Sequence, residues 1–142
     1  MSVQYYNEDV PFPTLKRRKT SNWIKEAVIF EGKKVGNISF IFCSDDYLLD
    51  INKKYLSHDY FTDIITFDYV EGNIINGDIF ISVNRVGENA KEFSKTFGNE
   101  LHRILIHGVL HLLGYKDKKR TDKKLMTQKE DYFLKVLIDS EL

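Results

Sequence analysis

The chain has 142 residues, with 21 lysines and arginines balanced by 21 aspartates and glutamates and a hydrophobic fraction of 42%. This length and composition exclude a disordered chain and suffice for one core, so we expect a single domain over residues 1–142. The balanced charge excludes a positive field over the whole molecule, so any contact with nucleic acid is expected to be local.

Four short basic runs could supply such a local contact, although each alone is also typical of a solvated loop or helix face. They lie at residues 16–19, 33–34, 53–54 and 116–124. The single cysteine, Cys43, cannot form an internal disulfide, which fits a reducing compartment. The sequence contains neither an apolar signal core at its start nor an apolar run long enough to span a membrane. We therefore predict a cytoplasmic protein with no membrane partner.

The first half of the chain predicts two strands and two helices. In chain order these are a strand at residues 2–7, a helix at about 15–31, a strand at about 35–43 and a helix at about 44–56. Pro11 and Pro13 break the chain before the first helix, because proline lacks the backbone donor that a helix interior needs. Ser44 is a good start for the second helix, because its side-chain oxygen can accept a hydrogen bond from an exposed N–H group.

The second half predicts a hairpin followed by helices. Two segments rich in β-forming residues, 63–70 and 78–83, flank a loop that contains Gly and Asn. Helical patterns follow at about 83–96, 99–113 and 121–137. Gly98 separates the first two of these helices. This order predicts an α/β (α+β) fold in which about five helices pack on a small mixed β-sheet.

The strongest chemical signal is the segment LHRILIHGVLHLLGYKD at residues 101–117. As a helix it is apolar nearly all round, which is typical of a buried helix. A narrow polar stripe interrupts it, with members three and four residues apart so that consecutive side chains are neighbours. The stripe consists of Glu100, Arg103, His107 and His111. Polar groups on a buried helix need partners.

A divalent metal ion is a suitable partner for His107 and His111, because imidazoles four residues apart on a helix can converge on one ion. Gly114 is placed to end the helix in a left-handed conformation, after which Asp117 can return toward the histidines. Three ligands would leave a coordination position for water, as in hydrolytic metal sites. Structural histidines without a metal, and a purely structural metal, are the alternatives.

The residue after the first histidine bears on the reaction. Zinc proteases of the HExxH type carry a glutamate there as the general base, whereas this chain has Gly108. We expect this glycine to let another backbone or a substrate approach the helix closely. Peptide hydrolysis therefore becomes the second choice.

The segment HGVLHLLGYKD resembles the HGxLHLxGYDH signature of the YbeY endoribonucleases, also described as rRNA maturation factors. Other matching pieces extend the resemblance over residues 51–130. They are Ile51-Asn52 with Tyr55, the segment TDIITF at 62–67, the segment GDI at 77–79, Ser82, Met126 and Glu130. The resemblance implies a small mixed sheet packed by helices, one zinc-like ion, and a role in processing rRNA ends and in ribosome quality control.

The resemblance also assigns positions, with two departures from the family pattern. His107 and His111 occupy the first two ligand positions, whereas Asp117 stands where the family usually has a histidine, so other divalent ions join zinc as candidates. Leu56 stands where an arginine usually follows the family's tyrosine, which removes a cation expected near the phosphate.

Three further residues are candidates for the reaction. Arg103 could contact phosphate or pair with Glu100. Asp63 could orient water or act as the general base, or it could cap the turn before its strand. His58 is a third candidate, or an exposed loop residue.

The resulting hypothesis is a single-strand-specific, metal-dependent endoribonuclease that acts in rRNA processing, including late 16S rRNA maturation, and in ribosome quality control. Its metal would be Zn²⁺ on His107, His111 and Asp117, and its catalytic residues would include Asp63 and Arg103. Its partners would be rRNA and the ribosomal small subunit, bound through local basic patches. Two alternatives stay open: a metalloprotease-like hydrolase, and a ribosome-associated factor with a mainly structural metal.

Overall fold

A computed structural model that describes residues 2–140 contains four strands and five helices. The strands coincide with alternating apolar patterns in the sequence, and the helices coincide with apolar patterns of helical period. In chain order the elements are β1 (Val3–Asn7), α1 (Arg17–Phe30), β2 (Lys34–Cys43), α2 (Asp45–Leu56), β3 (Ile64–Asp68), β4 (Ile74–Ser82), α3 (Val83–Glu92), α4 (Phe97–Leu112) and α5 (Arg120–Asp139). Every predicted element is present. The α/β class with five helices is confirmed.

The strands form one mixed sheet in the order β1-β2-β4-β3. β1 and β4 both run parallel to β2, whereas β3 and β4 form the predicted antiparallel hairpin. Parallel neighbours need a crossover connection, and α1 and α2 lie in the crossovers between the parallel strands. The predicted mixed sheet is thus confirmed.

The main core lies between one face of the sheet and helices α1, α4 and α5. Alternate residues of β2, namely Ile38, Phe40 and Phe42, are fully buried on this face, as the period of two in a strand requires. α4 has its apolar side chains buried almost all round, including Leu105 and Val109. Each such side chain contributes about 1.5–3 kcal/mol through removal of apolar surface from water. The helix that carries the histidines is therefore fixed firmly to the sheet.

The boundary between α3 and α4 differs from the prediction. Gly98 does not separate the two helices, because α4 already begins at Phe97. The Thr96 side chain accepts a hydrogen bond from the backbone N–H of Asn99 at 3.0 Å and so caps the helix. The chain turns earlier, at Ser94, which has a positive φ of 55°. Gly98 lies in the first turn of α4.

β4 also begins earlier than predicted, at Ile74 rather than at residue 78. Its first residues pair with the start of β2, with Lys34 opposite Ile74 and Val35 opposite Ile75. This pairing joins segments that are far apart in the sequence, so no local pattern indicated it. Within residues 2–140, no helix has the length and apolar character required to cross a membrane.

Candidate metal centre

Two glycines set how closely α4 approaches the sheet. A Cβ atom at Gly108 would lie 2.8 Å from Cγ2 of Ile79 and 3.0 Å from Cδ1 of Ile64. A Cβ atom at Gly77 of β4 would lie 2.7 Å from Cδ2 of Leu112. Gly108 was expected to admit a backbone or a substrate, but side chains of the protein's own sheet occupy this space. The glycine therefore serves the close packing of α4 against the sheet.

On the polar stripe of α4, the rings of His107 and His111 meet edge to face, with their centroids 4.6 Å apart. Their Nε2 atoms are 3.0 Å apart. Both side chains are partly exposed, with 19% of the His107 side chain and 27% of the His111 side chain accessible. The two nitrogens are thus presented together at the surface of a cavity.

The turn after α4 brings the third group back. Gly114 has a φ of +101°, so the left-handed conformation predicted there is confirmed. The backbone N–H of Gly114 donates to the carbonyl of His111, and that of Tyr115 donates to the carbonyl of Leu110, each at 3.0 Å. This pair of bonds ends a helix tightly and reverses the chain. Oδ2 of Asp117 then lies 3.3 Å from Nε2 of His107 and 3.2 Å from Nε2 of His111.

The hydrogen-bond partner of Nδ1 determines which ring nitrogen of each histidine carries the proton. Nδ1 of His107 is 2.6 Å from Oε2 of Glu130, and Nδ1 of His111 is 3.1 Å from the carbonyl oxygen of Tyr115. Carboxylate and carbonyl oxygens accept hydrogen bonds, so each Nδ1 donates. In the neutral tautomers both Nε2 atoms then carry lone pairs, and these point toward each other and toward the carboxylate of Asp117.

Three acceptor atoms at 3.0–3.3 Å repel one another unless a positive charge lies between them. Ligand atoms about 2.0–2.2 Å from a tetrahedral ion lie roughly 3.3–3.6 Å apart, which is close to the spacing observed here. His107, His111 and Asp117 are also the group whose donor atoms all lie within 4.8 Å of one another among the described residues. The donor set therefore fits a divalent metal ion.

Glu130 and Arg103 form the support behind His107. Arg103 donates from Nη1 to Oε1 of Glu130 at 2.8 Å and from Nη2 to Oδ1 of Asp131 at 2.7 Å. The hydrogen-bond partners of Arg103 thus come from α5, and the described structure has no hydrogen bond or ion pair between Arg103 and Glu100. The guanidinium reaches His107 through Glu130 and is not among the residues that line the cavity.

Glu130 matched the family spacing, but its contact with His107 was not predicted. A signal for it exists in the sequence of α5. Glu130 lies on the buried face of that helix, which otherwise consists of the apolar residues Met126, Phe133, Leu134 and Leu137. A lone carboxylate at helical spacing among apolar side chains indicates a buried polar partner.

The ionisable groups differ in the direction of their pKa shifts. Burial opposes protonation of His107, but the hydrogen bond and negative charge of Glu130 outweigh it and raise the pKa of His107. Burial and the nearby charge of His107 lower the pKa of His111. Burial raises the pKa of Asp63, against the opposing charge of His107. Asp63 thus has a carboxyl group better suited to accept a proton than an ordinary aspartate.

These groups open into a cavity of about 590 Å³. Beside the metal group it is lined by Asp63, by Lys118, and by residues of the segment that joins α2 to β3. The C-terminal half of α2 contributes Asn52 and Leu56, and the joining segment contributes His58, Tyr60 and Thr62. Asp63 and His58 therefore lie at the cavity, as does Leu56 in place of the family's arginine.

Comparison with known proteins places this geometry in a family. The family model described as "Endoribonuclease YbeY" matches residues 4–138. A protein named "Endoribonuclease YbeY" from Parabacteroides distasonis is 49% identical over 137 residues, covering 96% of each chain. One of the same name from Flavobacterium psychrophilum is 48% identical over 131 residues, covering 92% of this chain and 94% of the relative.

A solved structure agrees with the fold. The solution structure of TM1509 from Thermotoga maritima superposes with a TM-score of 0.69 at 27% sequence identity, covering 97% of this chain and 90% of that one. The sequence relatives and the shared fold together extend over nearly the whole chain. The chain belongs to the YbeY endoribonuclease family.

Proposed function

We propose that this protein is a metal-dependent endoribonuclease that cleaves single-stranded segments of rRNA during ribosome maturation. The observation that carries the proposal is the convergence of three potential ligand atoms, from His107, His111 and Asp117, at the edge of an open cavity. A purely structural metal usually has its coordination closed by four protein ligands, whereas this group offers three. The family membership supports hydrolysis of phosphodiester bonds in RNA.

Zn²⁺ is the ion we assign to these three ligands, because two imidazole nitrogens and one carboxylate oxygen form a common zinc site. The carboxylate of Asp117 also suits harder ions such as Mn²⁺. When bound, a divalent ion supplies a Lewis acid and lowers the pKa of a coordinated water. The protein contributes the rest: it orients both rings, holds their Nδ1 protons and keeps the site open to a substrate.

Asp63 is the residue we assign to proton transfer. It lines the same cavity, and burial raises the pKa of its carboxyl group. A carboxylate with a raised pKa is a better base, so Asp63 can take the proton from the attacking water and hold it on its carboxyl oxygen. Arg103 acts through Glu130, which orients His107, and is therefore a positioning residue.

The RNA backbone would be held by local positive charge. Lys118 lines the cavity next to Asp117 in the sequence and belongs to the basic run at residues 116–124. Short basic segments bind phosphates without reading bases, which suits an enzyme that acts on a folded ribosomal precursor. We assign this activity to late 16S rRNA maturation and ribosome quality control at the small subunit, in the cytoplasm.

Cleavage of an rRNA precursor by the purified protein tests the proposal. The wild-type chain loaded with Zn²⁺ should cut the precursor, chelator should stop the reaction, and His111→Ala should abolish it. The matched control is His102→Ala, which removes another histidine of α4 that lies outside the metal group. Equal cleavage by wild type and His111→Ala would show that a contaminating nuclease or a metal-free reaction is responsible. A ribosome-associated factor with a structural metal would bind the small subunit without cutting RNA.

A further inference from the structure

The wall of the cavity formed by the end of α2 and the segment that follows it carries exposed flat and apolar side chains. Tyr60 is 56% exposed and Leu56 is 40% exposed, and both line the cavity together with His58. The rings of His58 and Tyr60 stack, with centroids 5.1 Å apart and an angle of 20° between their planes. The Tyr60 hydroxyl is 3.0 Å from Nδ1 of His58. We call this surface, formed by the rings of His58 and Tyr60 with Leu56 beside them, the aromatic wall.

The backbone of this wall is held in place by one buried residue. Asn52, which is 1% exposed, donates from its side-chain amide to the carbonyl of Tyr60 at 2.8 Å. Its backbone carbonyl accepts from the N–H of His58 at 3.1 Å. Ser57, between them, takes the left-handed conformation with a φ of 55°. The buried amide of Asn52 therefore holds the tyrosine and the histidine in an exposed arrangement. Because the two side chains are already ordered in the free protein, less entropy is lost when a ligand binds.

Charge indicates what kind of group fits against the aromatic wall. Leu56 removes the cation that the family pattern has at this position, and Asp63 and Asp68 line the same cavity in addition to the candidate metal ligand Asp117. A phosphate would be repelled by these carboxylates unless it lay at the metal group or at Lys118. A flat, uncharged ring fits instead, because it can stack on an aromatic face and cover apolar surface that is exposed to water.

We propose that Leu56, His58 and Tyr60 form a subsite for one unpaired nucleobase of the RNA, next to the phosphate that lies at the metal group. The inference rests on the proposed function and specifies its substrate. In a duplex both faces of a base are covered by its neighbours, so only an unstacked base can enter the subsite. The aromatic wall would therefore supply the preference for single-stranded RNA.

The test is a binding titration with metal-loaded protein in which every chain, the reference included, carries Asp63→Asn. Without the proposed general base the RNA is not cut during the measurement. The probes are a short labelled single-stranded RNA, the same strand with abasic riboses, and a duplex RNA. Tyr60→Ala should weaken binding of the base-containing strand by about 5- to 150-fold, the range typical of one stacked base. Binding of the abasic strand should not change. Tyr60→Phe should bind like the wild type, because it keeps the ring.

The matched control is Tyr69→Ala, since Tyr69 is 55% exposed but does not line the cavity. It should bind RNA as the wild type does. Unchanged binding by Tyr60→Ala, or an equal loss for the base-containing and abasic strands, would overturn the subsite. Unfolding curves of both alanine variants show whether the fold is kept, and His58→Ala, with an expected loss of the same sign, provides the second variant.

The outcomes also separate this inference from the proposed function. If the metal-loaded wild type cuts single-stranded RNA while Tyr60→Ala binds it equally well, the subsite is wrong and the nuclease stands. If Tyr60→Ala loses binding but the metal-loaded wild type cuts no RNA, the subsite stands and the proposed nuclease is wrong.

Discussion

His107 and His111 lie one turn apart on the same helix, with their Nε2 atoms 3.0 Å apart, yet different parts of the chain hold them. Nδ1 of His107 donates to Glu130, a residue of α5 that Arg103 also contacts. Nδ1 of His111 donates to the backbone carbonyl of Tyr115, in the turn that follows α4. The pKa of His107 is raised and that of His111 is lowered.

The difference shows that one metal ligand is oriented by the packing of two helices and the other by local chain geometry. A carboxylate acceptor adds negative charge and makes the imidazole a stronger donor to a metal than a neutral carbonyl does, although both orient the ring. Substitutions on α5 should therefore change the metal affinity through the orientation of His107. Substitutions in the turn should change it through the positions of His111 and Asp117.

Loss of either histidine should have the largest effect, because it removes a ligand itself. His107→Ala and His111→Ala should each weaken Zn²⁺ binding by more than the roughly 10- to 100-fold loss typical of residues that only orient a ligand. Titration with Zn²⁺ against a competing chelator measures this loss. His58→Ala is the control, since His58 lines the same cavity outside the metal group and should leave Zn²⁺ affinity unchanged. A histidine variant that binds Zn²⁺ like the wild type would disprove the assigned ligand set.

Removal of the charge behind His107 should have the next largest effect. Glu130→Gln keeps the size of the side chain but loses the carboxylate, and we expect a Zn²⁺ affinity about 10- to 100-fold lower than that of the wild type. The titration is done at mildly alkaline pH, because Glu130 raises the pKa of His107 and so favours the proton that competes with the metal. As the pH falls, the difference between the two proteins should shrink.

Asp131→Asn is the matched control for Glu130→Gln. Asp131 also accepts a hydrogen bond from Arg103, but it is exposed, and His107 is bonded to Glu130 instead. The control should retain Zn²⁺ affinity close to that of the wild type. If both variants lost affinity equally, Arg103 and not the Glu130 carboxylate would be the group that orients His107.

The same comparison explains what the sequence could predict. Residues 107–117 form one helical turn and one reversal, so the spacing of two histidines and the freedom of Gly114 were enough to bring the three candidate ligands together. Glu130 lies on another helix, and its distance from His107 depends on how α4 and α5 pack. Pairing with Glu100 on the same helix was one of the two alternatives for Arg103, and its actual partners on α5 could not be predicted for the same reason. The resemblance to the family singled out the position of Glu130 in the sequence. Only the structure showed that Glu130 contacts His107.

The aromatic wall could likewise not be predicted from the sequence. His58 was a candidate by residue type alone, and Tyr60 was not singled out. Asn52 donates to the carbonyl of Tyr60 and accepts from the N–H of His58, and this arrangement depends on a left-handed Ser57, which is rare for a residue with a Cβ atom. The start of β4 was missed because its first pairs are with β2. The β4 start was thus decided by pairing between separate segments, and the aromatic wall by a turn at the end of α2 that its residue types do not favour.

The turn that holds His111 should tolerate change better than the support of His107. The Tyr115 hydroxyl donates to the carboxylate of Glu31 at the end of α1, and Lys129 of α5 donates to the same carboxylate at 3.0 Å. Tyr115→Phe removes the hydroxyl but leaves the carbonyl that accepts from His111, because the Gly114 turn fixes that carbonyl. We therefore expect less than a 10-fold loss of Zn²⁺ affinity, smaller than for Glu130→Gln.

The lost hydrogen bond should lower the free energy of unfolding of Tyr115→Phe by about 0.5–1.5 kcal/mol in chemical denaturation of the metal-free protein. Tyr132→Phe, which removes the hydroxyl of a partly exposed tyrosine on α5, is the control and should change neither quantity. A loss of affinity as large as that of Glu130→Gln would mean that the Glu31 contact holds the turn in place. The orientation of His111 would then depend on tertiary packing as much as that of His107 does.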